Sequence, residues 1–455
     1  MVKRCLGRNS AALKLSPAQT PMLLLVTYRK ITITLSMTSE VAILNRHGIA
    51  IAADSAITIG QHRVWKTSNK IFSLSPRNDM AIMIYGGADF GGLPWETLIK
   101  AFKKDHSTVV FKTVSECSAA FIAYLDDERW FDDLQSQLCG LSVVLKEIEK
   151  LSDEFSDMRA TDFRAEISAA LSDLTSDITE HAKCLPNLEF DEFLNEFGEQ
   201  ISLFRKEKFS QHFPKYLSNL LNYYLFEYFT RENCSTDYHT GVVICGYGSE
   251  EYYPSLDEII VDGRFKKSSR TWFARRSNLN TNLNRPAQII PFAQRDMANL
   301  FMEGISSSYI GYFIEFMQQI LNRKTNDIIA QFNGNDDEKI VERRLQEKTD
   351  EQIINMIKED FEKYRSSKFI QPLMSNVNSL PRDEMAAMAE ALVELTSLRR
   401  KIDSVVQSVA GPVDVAVISK ADGVVWIKRK YYFDPERNPE FFKRKELLED
   451  CHEED

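Results

Sequence analysis

Apolar and polar positions fall into two regimes that alternate along the chain. Residues 41–44 (VAIL), a polar Asn45-Arg46-His47-Gly48, and residues 49–53 (IAIAA) predict a β-hairpin with Gly48 at a positive-φ position. Residues 70–74 and 80–85 predict a second strand pair turning at 76–79, ended by Gly86-Gly87. Trp95, Leu98, Ile99 and Phe102 then recur at helical spacing, which predicts a helix over 94–104. Strand character returns at 240–248 and 258–263, and again at 413–418 and 424–428 around Ala421-Asp422-Gly423. Before the last pair, Met385, Met388, Ala389, Leu392 and Leu395 predict an amphipathic helix over 381–400.

Between these blocks the period changes to that of helices. Residues 107–238 are charged, rich in Leu and Phe, and poor in glycine. Their densest stretch, 209–229, holds Phe213, Tyr216, Tyr223, Tyr224, Phe226, Tyr228 and Phe229, and reads as a helix buried in this segment's own core. A membrane-surface or partner-docking helix is the alternative. Residues 306–380 are again helical and highly charged, with a loop at 333–337. Residues 265–276 mix basic and aromatic side chains and read as a solvated hairpin, the alternative being a single-strand nucleic-acid platform. The strand-rich blocks 38–106, 239–305 and 381–434 amount to one domain's worth of chain, interrupted by helical insertions at 107–238 and 306–380. A segment 1–37 precedes them and a charged tail, 435–455, follows.

Composition narrows the class. The 455 residues are 44% apolar and 27% charged, enough to build a core. The net charge of −10 argues against nucleic acid as a partner, since phosphate affinity comes from Lys and Arg. Residues 1–39 nonetheless carry six basic residues and no acid. No apolar run approaches the roughly 20 residues of a membrane span, so no membrane role is expected. Seven widely spaced cysteines without a C-x-x-C suit a reducing cytoplasm and supply neither a disulfide framework nor a zinc site. H-E-x-x-H, Gly-rich phosphate loops and G-x-S-x-G are all missing, so no metal or cofactor is expected. Leu23 to Val26 is too short for a signal-peptide core. With Met37 just before the first strand, either translation starts there or residues 1–37 are a removable leader.

One spacing carries chemistry. Thr38 opens the first strand, Asp54 ends the hairpin 16 residues later, Lys70 follows 32 residues after Thr38, and Gly86 and Gly87 close the next strand. Singly, each is an ordinary strand or turn residue. Together they form a set. A threonine hydroxyl needs a base, and a chain-terminal amine of pKa about 7.7–8 can serve. Lys70 beside it would keep that amine neutral and stabilise a developing alkoxide. Asp54 would hold Lys70, and the Gly86 and Gly87 N–H groups would form an oxyanion hole.

The residues Thr38-Ser39-Glu40-Val41, 48–55, Thr58, Gly60 and 69–72 resemble the N-terminal part of proteasome β subunits and their bacterial relative, the HslV peptidase. These are N-terminal nucleophile hydrolases. The resemblance is specific over 38–102, weaker over 240–300 and 381–428, and does not cover the insertions or residues 1–37. It implies an α+β fold, a four-layer αββα sandwich of two antiparallel sheets, here carrying two helical insertions. It implies a threonine-type peptidase in which Thr38 forms an acyl-enzyme, with peptide or unfolded protein as substrate. The segment around Thr58 would pair with an extended peptide, and Ile57, Ser68, Phe72 and Ile84 would lie near a side-chain pocket. Homo-oligomeric assembly, often in rings, and in some members an ATP-dependent unfoldase, come with it.

The chain departs from the family's pattern in three places. Thr38 is preceded by Met37 rather than glycine, which favours initiation at Met37 and removal of that methionine. Asp403 and Ser408 stand where the family has a supporting Asp and Ser, at different spacing, and 290–295 lacks the expected serine. The insertions add about 200 residues. Two other functions stay open: a small-molecule amidase of the same fold, and a catalytically idle scaffold binding partners through its insertions.

Overall fold

A computed structural model describes residues 38–55, 57–59, 63–65, 68–155, 160–209, 213–232, 239–280, 287–403, 411–431 and 433–443. It is a mixed α+β structure around two five-stranded antiparallel sheets. Strands and helices are numbered separately in chain order. The first sheet joins β1 (Ser39–Asn45), β2 (Gly48–Ala53), β12 (Gln288–Ala293), β13 (Asp414–Ser419) and β14 (Gly423–Lys428) in the order β12-β1-β2-β13-β14. The second joins β5 (Ile71–Ser73), β6 (Asp79–Gly86), β9 (Thr240–Tyr247), β10 (Ser255–Phe265) and β11 (Ser268–Asn278) in the order β11-β10-β9-β6-β5. Short hairpins are made by β3 (Ile57–Ile59) with β4 (Arg63–Trp65), and by β7 (Asp89–Phe90) with β8 (Leu93–Pro94).

Strand alternation decides the layers. On one face of the first sheet, Ala42, Leu44, Ile49, Ile51, Phe292 and Ile418 pack against Ala81, Met83, Val243, Cys245 and Ile260 of the second. On its other face, Val41, Ile43, Ala50, Ala52 and Val415 pack against Met385, Ala389, Leu392 and Val393 of α11 (Arg382–Asp403). The far face of the second sheet packs Ile82, Ile84, Val242 and Ile244 against Trp95, Leu98, Ile99 and Phe102 of α1 (Trp95–Asp105). The packing order is therefore helix, sheet, sheet, helix. The inner strands β1, β2, β6 and β9 read as apolar runs because both of their faces are covered.

The first hairpin forms as the sequence predicts, with Asn45 opposite Gly48. Its glycine has φ of +158°, close to extended, so a left-handed turn does not explain it. A Cβ there would sit 2.7 Å from the Ile418 carbonyl oxygen, and β13's close approach is what demands glycine.

Helix α2 (Val114–Leu125) lies in the stretch read as insertion, yet Val114, Cys117 and Phe121 share one cluster with α1 and the second sheet. The inserted helices proper are α3 (Asp133–Glu154), α4 (Ala160–Thr179), α5 (Phe190–Lys208) and α6 (Lys215–Thr230), with their own core around Phe163, Phe193, Phe197 and Phe229. The aromatic stretch at 209–229 is thus largely an inner helix face, with Tyr216 and Tyr223 exposed. The second insertion contains α7 (Asp296–Glu303), a long pair α8 (Ser307–Gln331) and α9 (Asp336–Arg365), a π-helical turn at Ser366–Ile370 and α10 (Gln371–Val377). The α8–α9 pair is thinly packed: Ile314, Leu321 and Ile354 are its buried apolar core.

The stretch 265–276 is a hairpin, solvated at its turn and at Ala274 and Arg276 but buried in between at 269, 270 and 272. Lys266 and Lys267 are exposed, while Arg270 and Trp272 are buried. The Arg270 guanidinium donates to the carbonyls of Phe229 (2.7 Å), Tyr228 (3.0 Å) and Arg231 (2.9 Å) and pairs with Asp262. It satisfies carbonyls at the end of α6 and fastens the first insertion to β11. Arg270→Met should therefore strand a buried carboxylate and three carbonyls. The expected cost is about 3–5 kcal/mol in urea unfolding, against within about 1 kcal/mol for Lys267→Met in the exposed turn.

Candidate active site

Thr38 precedes β1, Asp54 follows β2 and Lys70 precedes β5, so all three lie at one end of the inter-sheet space. The structure brings them together. Lys70 Nζ donates to Asp54 Oδ1 at 2.5 Å, and the Asp54 amide donates to the Ser39 carbonyl at 3.1 Å. Thr38, Asp54 and Lys70 are all buried. The Thr38 hydroxyl is shielded from solvent and has no hydrogen-bond partner among the described residues. An unsatisfied buried hydroxyl is uncommon and marks a position awaiting a partner.

Three further residues complete the cluster, and sequence reasoning assigned a role to none of them. Glu40, fully buried on β1, accepts from Lys70 Nζ at 2.9 Å through Oε1, while its Oε2 has no partner. Arg400, near the end of α11, donates to the Thr38 carbonyl at 2.5 Å and lies 3.9 Å from Asp54 Oδ2. Lys430 is paired with Asp414 at 2.5 Å and adds positive charge near Lys70. The signal for Glu40 was available: it is an acid at the head of an otherwise apolar strand with both faces covered. Arg400 lacked any such signal, because its neighbours Arg399 and Lys401 look the same along the helix.

Burial and charge act in opposite senses here. Burial alone would lower the Lys70 pKa, but the carboxylates of Asp54 and Glu40 outweigh it and hold it above the ordinary lysine value. Lys70 is therefore a fixed cation and not a base. Burial raises Glu40, the Lys70 charge opposes this, and Asp54 adds to it; the outcome is about 7. Burial lowers the pKa of Arg400, against the pull of Asp54 and Glu40.

The remaining expected site residues divide. A cavity of about 270 Å³ opens beside Lys70, lined by Ser68, Ile84, Gly86, Gly87, Asp89 and Glu96 among others. Gly86 has φ of +84°, and a Cβ on it would lie 2.3 Å from the His239 carbonyl oxygen. The Gly87 amide donates to that same carbonyl at 3.1 Å, so it is not free to hold an oxyanion here. The cause is β9, which pairs with β6 through Gly86 and Thr240 and presents the preceding carbonyl to Gly87. Phe72 is turned away: alternation sends Ile71 between the sheets and Phe72 towards α1, outside the cavity. Ile57 and Thr58 lie on β3, whose pairing with β4 occupies one edge of that segment; their side chains are outside the described residues. Asp403 ends α11, and Ser408 lies outside the described residues.

Among the described residues no helix is long and apolar enough to cross a membrane, and no group of three or more His, Cys, Asp or Glu could hold a metal ion. The chain matches no protein-family model, and no curated protein sequence is significantly similar to it.

The raised Glu40 pKa fixes a sign. A carboxyl that binds its proton more tightly when folded stabilises the protein below its unfolded value near 4.5, and that stability is lost as pH rises to about 7. Wild type should lose on the order of 1–3 kcal/mol between pH 4.5 and 7.5 through this group. Glu40→Gln should lack that component, visible as a flatter dependence in urea unfolding at the two pH values.

Proposed function

We propose that this chain is a proteasome-like N-terminal threonine hydrolase that cleaves peptide bonds through an acyl-enzyme on Thr38. One observation carries the reading: a buried lysine clamped between two carboxylates, one of which neighbours a buried threonine hydroxyl with no short hydrogen bond among the described residues. The packing order supports it, since two antiparallel sheets between helices correspond to the αββα sandwich that the resemblance implies.

In this reading a Thr38 with a free α-amine is the nucleophile. Its amine takes the hydroxyl proton, and Lys70, held by Asp54, keeps that amine neutral and stabilises the alkoxide. Arg400 fixes the Thr38 carbonyl and thereby the rotation of the residue about its own backbone. The free amine arises by initiation at Met37 and removal of that methionine, or by loss of a leader. The cavity holds one substrate side chain. Its modest volume equally suits a second reading, an amidase acting on a small molecule. We further assign the protein to the cytoplasm, as a self-associating enzyme taking peptide or unfolded protein, with an ATP-driven unfoldase as the partner class.

The test is cleavage of labelled unfolded protein and of small fluorogenic amides, by a chain shown by mass to begin at Thr38. Thr38→Ala should lose at least about 10³-fold in rate. Lys70→Ala should lose about 10²–10⁴-fold with an unchanged circular-dichroism spectrum. Full activity of either variant sinks the reading. Turnover of small amides alone selects the amidase.

A further inference from the structure

We propose that Glu40 is a second base of this site: its free carboxyl oxygen takes the Thr38 hydroxyl proton as that oxygen attacks a carbonyl carbon. The proposal rests on the hydrolase reading of Thr38. It starts from the row of residues that β1 turns towards the other sheet. Ala42 and Leu44 lie in the inter-sheet core, and Glu40 heads the same row, with Thr38 two residues before it. The Thr38 hydroxyl bears on the Glu40 carboxyl.

Two buried oxygens on this row, Thr38 Oγ1 and Glu40 Oε2, have no short hydrogen bond among the described residues, and the hydroxyl lies near enough to the carboxyl to favour its ionised form. One carries a hydrogen and the other is an acceptor when ionised. Asp54, at 2.5 Å, is the nearer and stronger counter-charge of Lys70, and Glu40 engages it through Oε1 alone. The charged and titratable groups around Glu40 are Asp54 and Lys70, Arg400 from α11, and Tyr85 of the facing sheet, with Lys430 further out beside Lys70. Burial among them sets its proton affinity near neutrality, where a base is most effective.

The step balances without any redox partner. The Oγ1–carbon bond forms as the hydroxyl proton moves to Oε2. That proton passes to the leaving nitrogen as the carbon–nitrogen bond breaks. Water then attacks the ester, gives a proton to Oε2, and the acid leaves as the Thr38 hydroxyl is restored. Thr38 would thus react even while its nitrogen sits in a peptide bond, where no α-amine exists.

The experiment follows acylation of Thr38 by a β-lactone probe, read by intact mass from pH 5 to 9. It uses the full-length chain and the chain beginning at Thr38, each as wild type and Glu40→Gln, with thermal melts and amide hydrolysis in parallel. Wild type should be labelled in both chains, with an inflection near pH 7. Glu40→Gln should slow labelling about 10²–10⁴-fold and remove that inflection from the full-length chain. Labelling of the variant at the wild-type rate with the wild-type inflection overturns the proposal. Should the variant fail to fold, Glu40→Asp serves instead, because it keeps the charge and withdraws the oxygen by one methylene; a rate within twofold of wild type then overturns it. Labelling that needs Glu40 without any amide cleavage keeps the proposal and removes the peptidase reading. Cleavage unchanged in Glu40→Gln does the reverse, and a Thr38 that is never labelled removes both.

Discussion

The structure turns on a lysine ammonium buried between two carboxylates. An isolated charge in such a place would cost several kcal/mol, so Lys70 can be buried only if Glu40 and Asp54 arrive with it. These residues come from the first strand, the end of the second and the start of the fifth. Their meeting fixes how the two sheets register at one end. Along the rest of the interface the contacts are apolar, and small residues such as Ala42 and Ala81 let the sheets approach. Hydrophobic burial supplies the adhesion of the two sheets, while the ion cluster supplies directionality, since only one alignment pairs all its charges.

Much of this was readable in the residues. The runs that became β1, β2 and β13 are apolar on consecutive positions, which suits strands covered on both faces. The Thr38, Asp54 and Lys70 spacing identified three groups that the fold does bring together. What stayed hidden depended on facing and on partners. Phe72 sits in a strand of three residues, too short for alternation to declare a side, and its neighbours turn it towards α1. The fate of the Gly87 amide was settled by a carbonyl about 150 residues away. Helical periodicity marked α2 as a helix but could not say which core it joins. Arg270 looked solvated because a basic residue in a basic stretch carries no mark of burial.

The insertions are built on different principles. The first has a large aromatic core and is fastened by a buried arginine. Arg270 caps α6 of the insertion, and Arg264 in the same way holds the end of α2, which belongs to the core beside it. Guanidinium groups suit this because several donors in one plane can serve several carbonyls at once. The second insertion instead extends as a long helix pair whose polar contacts, such as Lys324 with Asp350 at 2.9 Å, supplement a small core. Its π-helical turn is followed at once by Pro372, whose missing N–H leaves the regular bonding pattern of the helix incomplete there. Neither insertion breaks the ladder of either sheet.

The bond from Arg400 to the Thr38 carbonyl spans 362 residues of sequence, and β2 is paired with a strand that begins at Asp414. The candidate nucleophile thus stands at the head of the described chain, while the arginine that orients it lies on the last helix before β13. During synthesis from the N-terminus Thr38 is made 362 residues before Arg400 and remains unframed until that helix exists. The delay before Thr38 is framed is thus a property of the topology.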